Sequence, residues 1–223
     1  MRKMLTISAA CVLFSAAAQA GVVESFDTGA YGPGWAFNNG TVTAAAAHDG
    51  GFGLNMANTG GVGGWNYNTS LAVSEGDVLS AWIRFHGSGR AYFGFGADAT
   101  GTQSFVAGTN TNQSIFQDNS GYGFANIGSN SFGFADNHWY RLEIDWMAGG
   151  QALGKVYDSD GTTLLNSLAQ VGLPRSSGGI ALRGFPSIDV DTISVNGAVP
   201  EPMPLGLLAL GLAGAALSRR RKV

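Results

Sequence analysis

Apolar and polar residues alternate along the clearest stretches of this chain, in runs of eight to ten residues. Over residues 77–86, Leu79, Ala81, Ile83 and Phe85 fall on one side, and Val78, Ser80, Trp82 and Arg84 on the other. Over residues 138–147, Tyr140, Leu142, Ile144 and Trp146 alternate with Trp139, Arg141, Glu143 and Asp145. A period of two is that of a strand with one buried face and excludes a helix. The uniformly apolar sets predict the core-facing sides, which leaves Trp82 and Arg84 outward and the Arg141–Glu143 row wetted.

The rest of the pattern is choppier but of the same kind. Residues 22–27, 41–47, 51–56 and 66–73 read as strands, with Asn39-Gly40 as a hairpin turn and residues 58–64 as a loop. Residues 90–95 are expected to return beside 77–86 as a hairpin around Gly87-Ser88-Gly89, and residues 98–108 read as turn-rich. Residues 114–117, 122–127 and 131–134 give three short strands, 151–158 follows the Gly149-Gly150 turn, and Asp160-Gly161 makes the next. Residues 163–170 fit either a strand or a short helix, and 180–185 and 188–195 close the series. Many half-apolar strands must bury one face of each sheet against another sheet, so the predicted fold is all-β, an antiparallel β-sandwich. Glycine is abundant, 35 residues, but without a three-residue period, which excludes collagen.

The two ends break the pattern. Residues 1–20 carry Arg2 and Lys3, an apolar core and Ala18-Gln19-Ala20, the three parts of a cleavable signal peptide. The only cysteine, Cys11, lies inside that apolar core, so the mature domain, residues 21–198, has neither a disulfide nor a cysteine site. At the other end, residues 199–223, Pro200-Glu201-Pro202 precedes an uncharged run over 203–217 and the basic cluster Arg219, Arg220, Arg221 and Lys222. As a helix that run rises about 22 Å, and it reaches across a bilayer when Ser218 and the stems of the basic residues are drawn into the interface. The cations hold the C-terminus on the cytoplasmic side and leave the domain outside.

Pro200-Glu201-Pro202, the apolar helix and the arginine-rich end, in that order, resemble the PEP-CTERM protein-sorting domain of exported proteins from Gram-negative bacteria that make extracellular polysaccharide. The resemblance implies general secretion, an inner-membrane-anchored intermediate, recognition by an exosortase near the Pro-Glu-Pro, and release to the cell surface or extracellular matrix. It is silent about the domain between.

Charge narrows what that domain meets. Six of the twelve basic residues lie in the two ends, so the domain sets Arg84, Arg90, Arg141, Lys155, Arg175 and Arg183 against fourteen acids, a formal net of −8. That argues against nucleic acid and polyanions as partners and fits neutral glycans or divalent cations.

Gly76-Asp77-Val78-Leu79 into Trp82-Ile83-Arg84-Phe85, Trp139-Tyr140-Arg141-Leu142-Glu143-Ile144, Asp160-Gly161-Thr162 and Gly179-Ile180-Ala181-Leu182-Arg183 before Asp189-Val190-Asp191 are together similar to the concanavalin A-like lectin/glucanase jelly roll, including its laminin-G-like members. The glucanases of that fold carry Glu-x-Asp-x-x-Glu on one strand. This chain supplies Glu143 and Asp145 without the third carboxylate, so half of a double-displacement apparatus is missing. The leading expectation is therefore a non-enzymatic module that binds exopolysaccharide or acts structurally, the alternative being a glycoside hydrolase-like enzyme acting through Glu143 and Asp145. Trp35, Trp65, Tyr67, Trp82 and Trp139 are the candidate stacking platforms for sugar rings. No cofactor is implied beyond a possible Ca²⁺, for which Asp158, Asp160, Asp189 and Asp191 are the oxygen donors to test. The leader reading makes a direct prediction: the exported protein starts at Gly21 by N-terminal sequencing and shows no thiol on titration, whereas retention of Cys11 would overturn it.

Overall fold

The computed structural model describes residues 21–36, 39–57 and 64–196; the signal peptide expected over 1–20 and the tail over 199–223 lie outside them. Among the described residues, fourteen strands form two antiparallel sheets. In chain order they are β1 (Gly21–Glu24), β2 (Thr41–Thr43), β3 (Gly53–Met56), β4 (Asn66–Ser74), β5 (Val78–Phe85), β6 (Arg90–Asp98), β7 (Gly101–Gly108), β8 (Gln113–Ser120), β9 (Ala125–Ser131), β10 (Trp139–Met147), β11 (Gln151–Tyr157), β12 (Leu164–Val171), β13 (Ser177–Phe185) and β14 (Ile188–Val195). The first sheet runs β12-β11-β10-β5-β14-β3-β2, with β1 paired to the far end of β14; the second runs β4-β13-β6-β7-β8-β9.

The core lies between the sheets and is built by the sets that alternation selects. Leu79, Ala81, Ile83 and Phe85 of β5 and Tyr140, Leu142, Ile144 and Trp146 of β10 meet Phe93, Phe95, Phe105, Phe116 and Leu182 of the second sheet. Aromatic rings interlock edge to face, Trp146 with Phe95 at 5.0 Å and Phe85 with Phe134 at 5.4 Å.

Several local expectations are corrected. β5 and β6 are not a hairpin: β5 pairs with β10 and β14, whereas β6 pairs with β13 and β7, so the Gly87-Ser88-Gly89 turn carries the chain from one sheet to the other. Both strands have an apolar face, and a short glycine turn serves a change of sheet as well as a hairpin. Most of the stretch expected to be turn-rich, residues 98–108, is β7, a central strand with every residue buried. Its polar residues Thr102 and Ser104 mislead because they are satisfied inside, Ser104 Oγ donating to Asn119 Oδ1 at 2.6 Å. Residues 132–134 lie beyond β9, and Phe134 plugs the core instead of extending a strand. Residues 44–46 form a 3-10 turn after the three-residue β2. The ambiguous 163–170 region resolves as the edge strand β12.

Where β11 of the first sheet crosses β7 of the second, Gly154 faces Phe105, and a Cβ on Gly154 would lie 2.5 Å from the Phe105 ring carbon Cδ2. Gly154→Ala is therefore expected to destabilise the domain by about 1–3 kcal/mol through overpacking. Thermal unfolding followed by circular dichroism checks this, and an unchanged Tm would show that the sheets are free to part.

Candidate functional site

The five candidate aromatics do not share a face. Trp35 is in the core, and Trp65 is 1% exposed beneath Tyr122 and Phe124, so neither offers a free ring to a sugar; burial corrects both as stacking platforms. Trp82 and Trp139 lie on the outer face of the first sheet, Tyr67 on the outer face of the second.

On the first sheet, the strand register lines up three rows. Trp139, Arg84, Asp189 and Asn55 form one; Tyr157, Arg141, Trp82 and Asp191 the next; Lys155, Glu143 and Ser80 the third. The row expected to be wetted is closed: Arg141 and Glu143 are each 6% exposed. Tyr157 stacks under the Arg141 guanidinium at 4.1 Å, and the β11–β12 turn sits against Trp82 and Arg141, whose Nε donates to Gly161 O. His48 lies flat on Trp82 at 3.8 Å and edge-on to Trp139 at 5.0 Å, already occupying the platform a sugar ring would use.

The two carboxylates weighed for hydrolysis are both neutralised. Arg141 Nη1 donates to Glu143 Oε2 at 2.6 Å, Lys155 Nζ to Oε1 at 2.9 Å, and Tyr157 Oη to the same oxygen at 3.2 Å. Lys155 also pairs with Asp145 at 2.6 Å. Burial alone would push the Glu143 carboxyl up, but the Lys155 and Arg141 bonds and charges outweigh it and hold it below the ordinary glutamate range. A general acid needs the opposite shift.

The calcium candidates are likewise engaged by protein donors. Asp189 Oδ2 receives Arg84 Nε at 2.9 Å and lies 2.6 Å from His86 Nε2, while Oδ1 receives Asn55 Nδ2 at 2.7 Å. Asp191 accepts the backbone N–H groups of His48, Asp49 and Thr192. Asp158 takes Ser159 N–H and His138, and Asp160 takes Thr162 and Thr163 N–H, which makes them turn residues. Among the described residues no group of three or more His, Cys, Asp or Glu is placed to hold a metal ion.

The second sheet presents a different outer face. Val106, Ile115 and Ala181 floor it, with Tyr92, Trp65, Tyr67 and Tyr122 around them. The segment after β8 folds back across it, bringing Phe124 to 4.5 Å from the Arg183 guanidinium, 5.8 Å from Tyr92 and 6.5 Å from Trp65. Phe124 remains 46% exposed. Beside it runs an amide ladder, Asn119 Nδ2 donating to Gln117 Oε1 at 3.0 Å and Gln117 Nε2 to Asn126 Oδ1 at 2.6 Å, with Asn126 exposed. An aromatic face flanked by ordered amides suits a sugar's apolar ring face and its hydroxyls. Sequence reasoning missed Phe124 and the ladder because they lie around a turn whose fold-back no local pattern encodes.

Residues 198–222 match the PEP-CTERM protein-sorting motif, so the chain carries a sorting signal. No curated protein matches the sequence. Among solved structures the chain is similar to a carbohydrate binding module, CBM66, from Bacillus subtilis, at 16% identity and a TM-score of 0.55, over 74% of this chain and 96% of that one. It is also similar to the exoplasmic/lumenal domain of VIP36 in its Ca²⁺/Man2-bound form, at 12% identity and a TM-score of 0.52, over 83% and 90%. A third similar structure is a Bacillus subtilis protein of unknown function with a galectin-like fold, at 9% identity and a TM-score of 0.51, over 72% and 88%. These likenesses show the fold, an antiparallel jelly-roll β-sandwich.

The Glu143 cluster yields a stability prediction. Removing its charge leaves Arg141 and Lys155 in a closed site, so Glu143→Gln is expected to cost about 3 kcal/mol. Because the folded pKa is depressed, the Glu143 contribution is complete above its ordinary value of 4.5 and is lost as the pH falls through the folded value. Denaturant titrations from pH 7 to pH 3 should therefore show a shallower acid decline in the variant; parallel curves would contradict the assignment.

Proposed function

We propose that this is an exported, non-catalytic glycan-binding protein that docks extracellular polysaccharide on the outer face of the second sheet and is sorted to the cell surface by an exosortase acting near Pro200-Glu201-Pro202. The observation that carries the reading is Phe124: a large, half-exposed ring propped over Arg183, Tyr92 and Trp65 beside the Gln117–Asn126 amides. Support for the absence of catalysis comes from Glu143 and Asp145, whose charges are spent on Arg141 and Lys155. Trp82 and Trp139 are secondary, since His48 covers the first and contacts the edge of the second. A net charge of −8 on the domain selects neutral chains over polyanions. The similar structures include a carbohydrate binding module and a lumenal domain in its Ca²⁺/Man2-bound form, which agrees with a glycan ligand.

Calcium is not needed in this reading, because Asp158, Asp160, Asp189 and Asp191 already accept protein donors. The test is a glycan array followed by titration of the exported protein with the best neutral oligosaccharide. Saturable binding is expected, insensitive to EDTA, weakened about tenfold or more in Phe124→Ala, and without release of new reducing ends. Equal binding by Phe124→Ala, or product formation by the wild type, would overturn the proposal.

A further inference from the structure

At one end of the sandwich, the β6–β7 turn and the segment leading into β13 enclose an open cleft of about 360 Å³, lined by Asp98, Thr100, Ser120, Arg175, Ser176 and Ser177. Resting on the glycan-binding reading, we propose that this cleft is a second saccharide subsite, which takes one neutral sugar ring by neighbouring hydroxyls and passes the rest of the chain toward the aromatic face. The volume is at the small end for ligand sites and suits a single ring better than a long segment.

Its charged groups are fixed in advance. Asp98 Oδ1 accepts Thr100 N–H at 2.6 Å and Thr100 Oγ1 at 2.7 Å, and Arg175 Nη1 reaches Asp98 Oδ2 at 2.8 Å. The guanidinium also donates to Gly96 O at 3.1 Å and to Thr100 Oγ1 at 3.0 Å. The Arg175 backbone is clamped by the buried Gln103, which accepts its N–H and donates to its carbonyl, both at 3.3 Å. Little ordering therefore remains for a ligand to cause.

What the protein leaves unused is the hydrogen-bonding complement of a diol. Among the described residues, Arg175 Nε and the Ser176 and Ser177 hydroxyls have no protein partner, and the Asp98 side chain is 53% exposed with Oδ2 engaged only by Arg175. A hydroxyl can donate to Asp98 Oδ2 while its neighbour accepts from Arg175, the donor–acceptor pairing a vicinal diol offers. The ion pair is neutral as a unit, so a neutral sugar leaves it intact, whereas a uronate sets a like charge beside Asp98. The Thr100 hydroxyl hydrogen bond foremost, joined by the Arg175 pairing and the Thr100 N–H, outweighs the opposing effect of burial and brings the Asp98 carboxyl down to about 2, which keeps the pair ionised across the neutral range.

Tyr122 joins the cleft to the aromatic face. Its hydroxyl donates to Asp98 O at 2.8 Å, its ring lies 5.5 Å from Tyr67, and Ser120 of the cleft is two residues away. Burial foremost, with Tyr67 and Asp98 adding to it, pushes its phenol up to about 12, so it stays a donor.

The experiment is ligand-observed NMR on the exported protein with the methyl pyranosides of glucose, galactose and mannose, and with free glucuronate and galacturonate, alongside the oligosaccharide titration. At least one neutral glycoside is expected to bind with Kd on the order of 1 mM, and the uronates about tenfold more weakly. The Ser176→Ala/Ser177→Ala double variant removes only exposed hydroxyls, and Arg175→Lys keeps the charge but loses the fork; both should weaken the glycoside severalfold, with no change from pH 5 to pH 9. Unaltered glycoside binding in both variants, or uronates bound as tightly as neutral sugars, would overturn the subsite. If Phe124→Ala alone abolishes oligosaccharide binding and no glycoside binds, the subsite falls and the glycan reading stands; if neither ligand class binds the wild type, both fall.

Discussion

The central strands of both sheets are covered on both faces, and that constraint governs the rest of this molecule. One face of each is sealed by the shared aromatic core. The other is sealed differently: on the first sheet by charged rows under His48 and the β11–β12 turn, on the second by Trp65 and the segment that carries Tyr122 and Phe124. A polar group placed on a covered face must find a partner inside the protein or bear its desolvation cost. Arg141, Glu143 and Lys155 pair with one another for that reason, as do Ser104, Asn119 and Gln117.

The same constraint sorts structural polar residues from those available to a ligand. Glu143 and Asp145 alternate on one strand as a catalytic pair would, yet their charges are consumed by neighbours on β10 and β11. Asp189 and Asp191 alternate on β14 as cation ligands would, yet they anchor Arg84, Asn55 and the turn containing His48. What escapes is at the margins: Phe124, projecting from the cover of the second sheet, and the Asp98–Arg175 cleft, at an end where strands give way to turns.

The sandwich also brings the two ends of the described chain together. Gly21 pairs with Val195, and Asn196 is held by Asp77 and by the backbone of Val78. Ser74, which pairs with Ser177 of the cleft, links that corner to Asp77 through its N–H bond to the Asp77 carboxylate. The last described residue, Asn196, stands two positions before the sorting motif at 198–222.

Much of this was legible in the residues themselves. The alternation over 77–86 and 138–147 determined two strands and their core faces, since period two admits one solution when a single face is apolar. The terminal segments are read by composition and order, so the sorting motif needed no fold to be recognised. Strand pairing was not legible: Gly87-Ser88-Gly89 serves a hairpin or a change of sheet equally, and only long-range contacts with β10, β13 and β14 choose between them. Nor was the fate of polar residues, because a sequence shows that Thr102, Ser104 and Glu143 can hydrogen-bond but not that something will cover them. Local pattern determined the clearest strands and the sorting motif; the tertiary structure alone decided which aromatic rings and charges remain free, because burial is a property of what the rest of the chain lays on top.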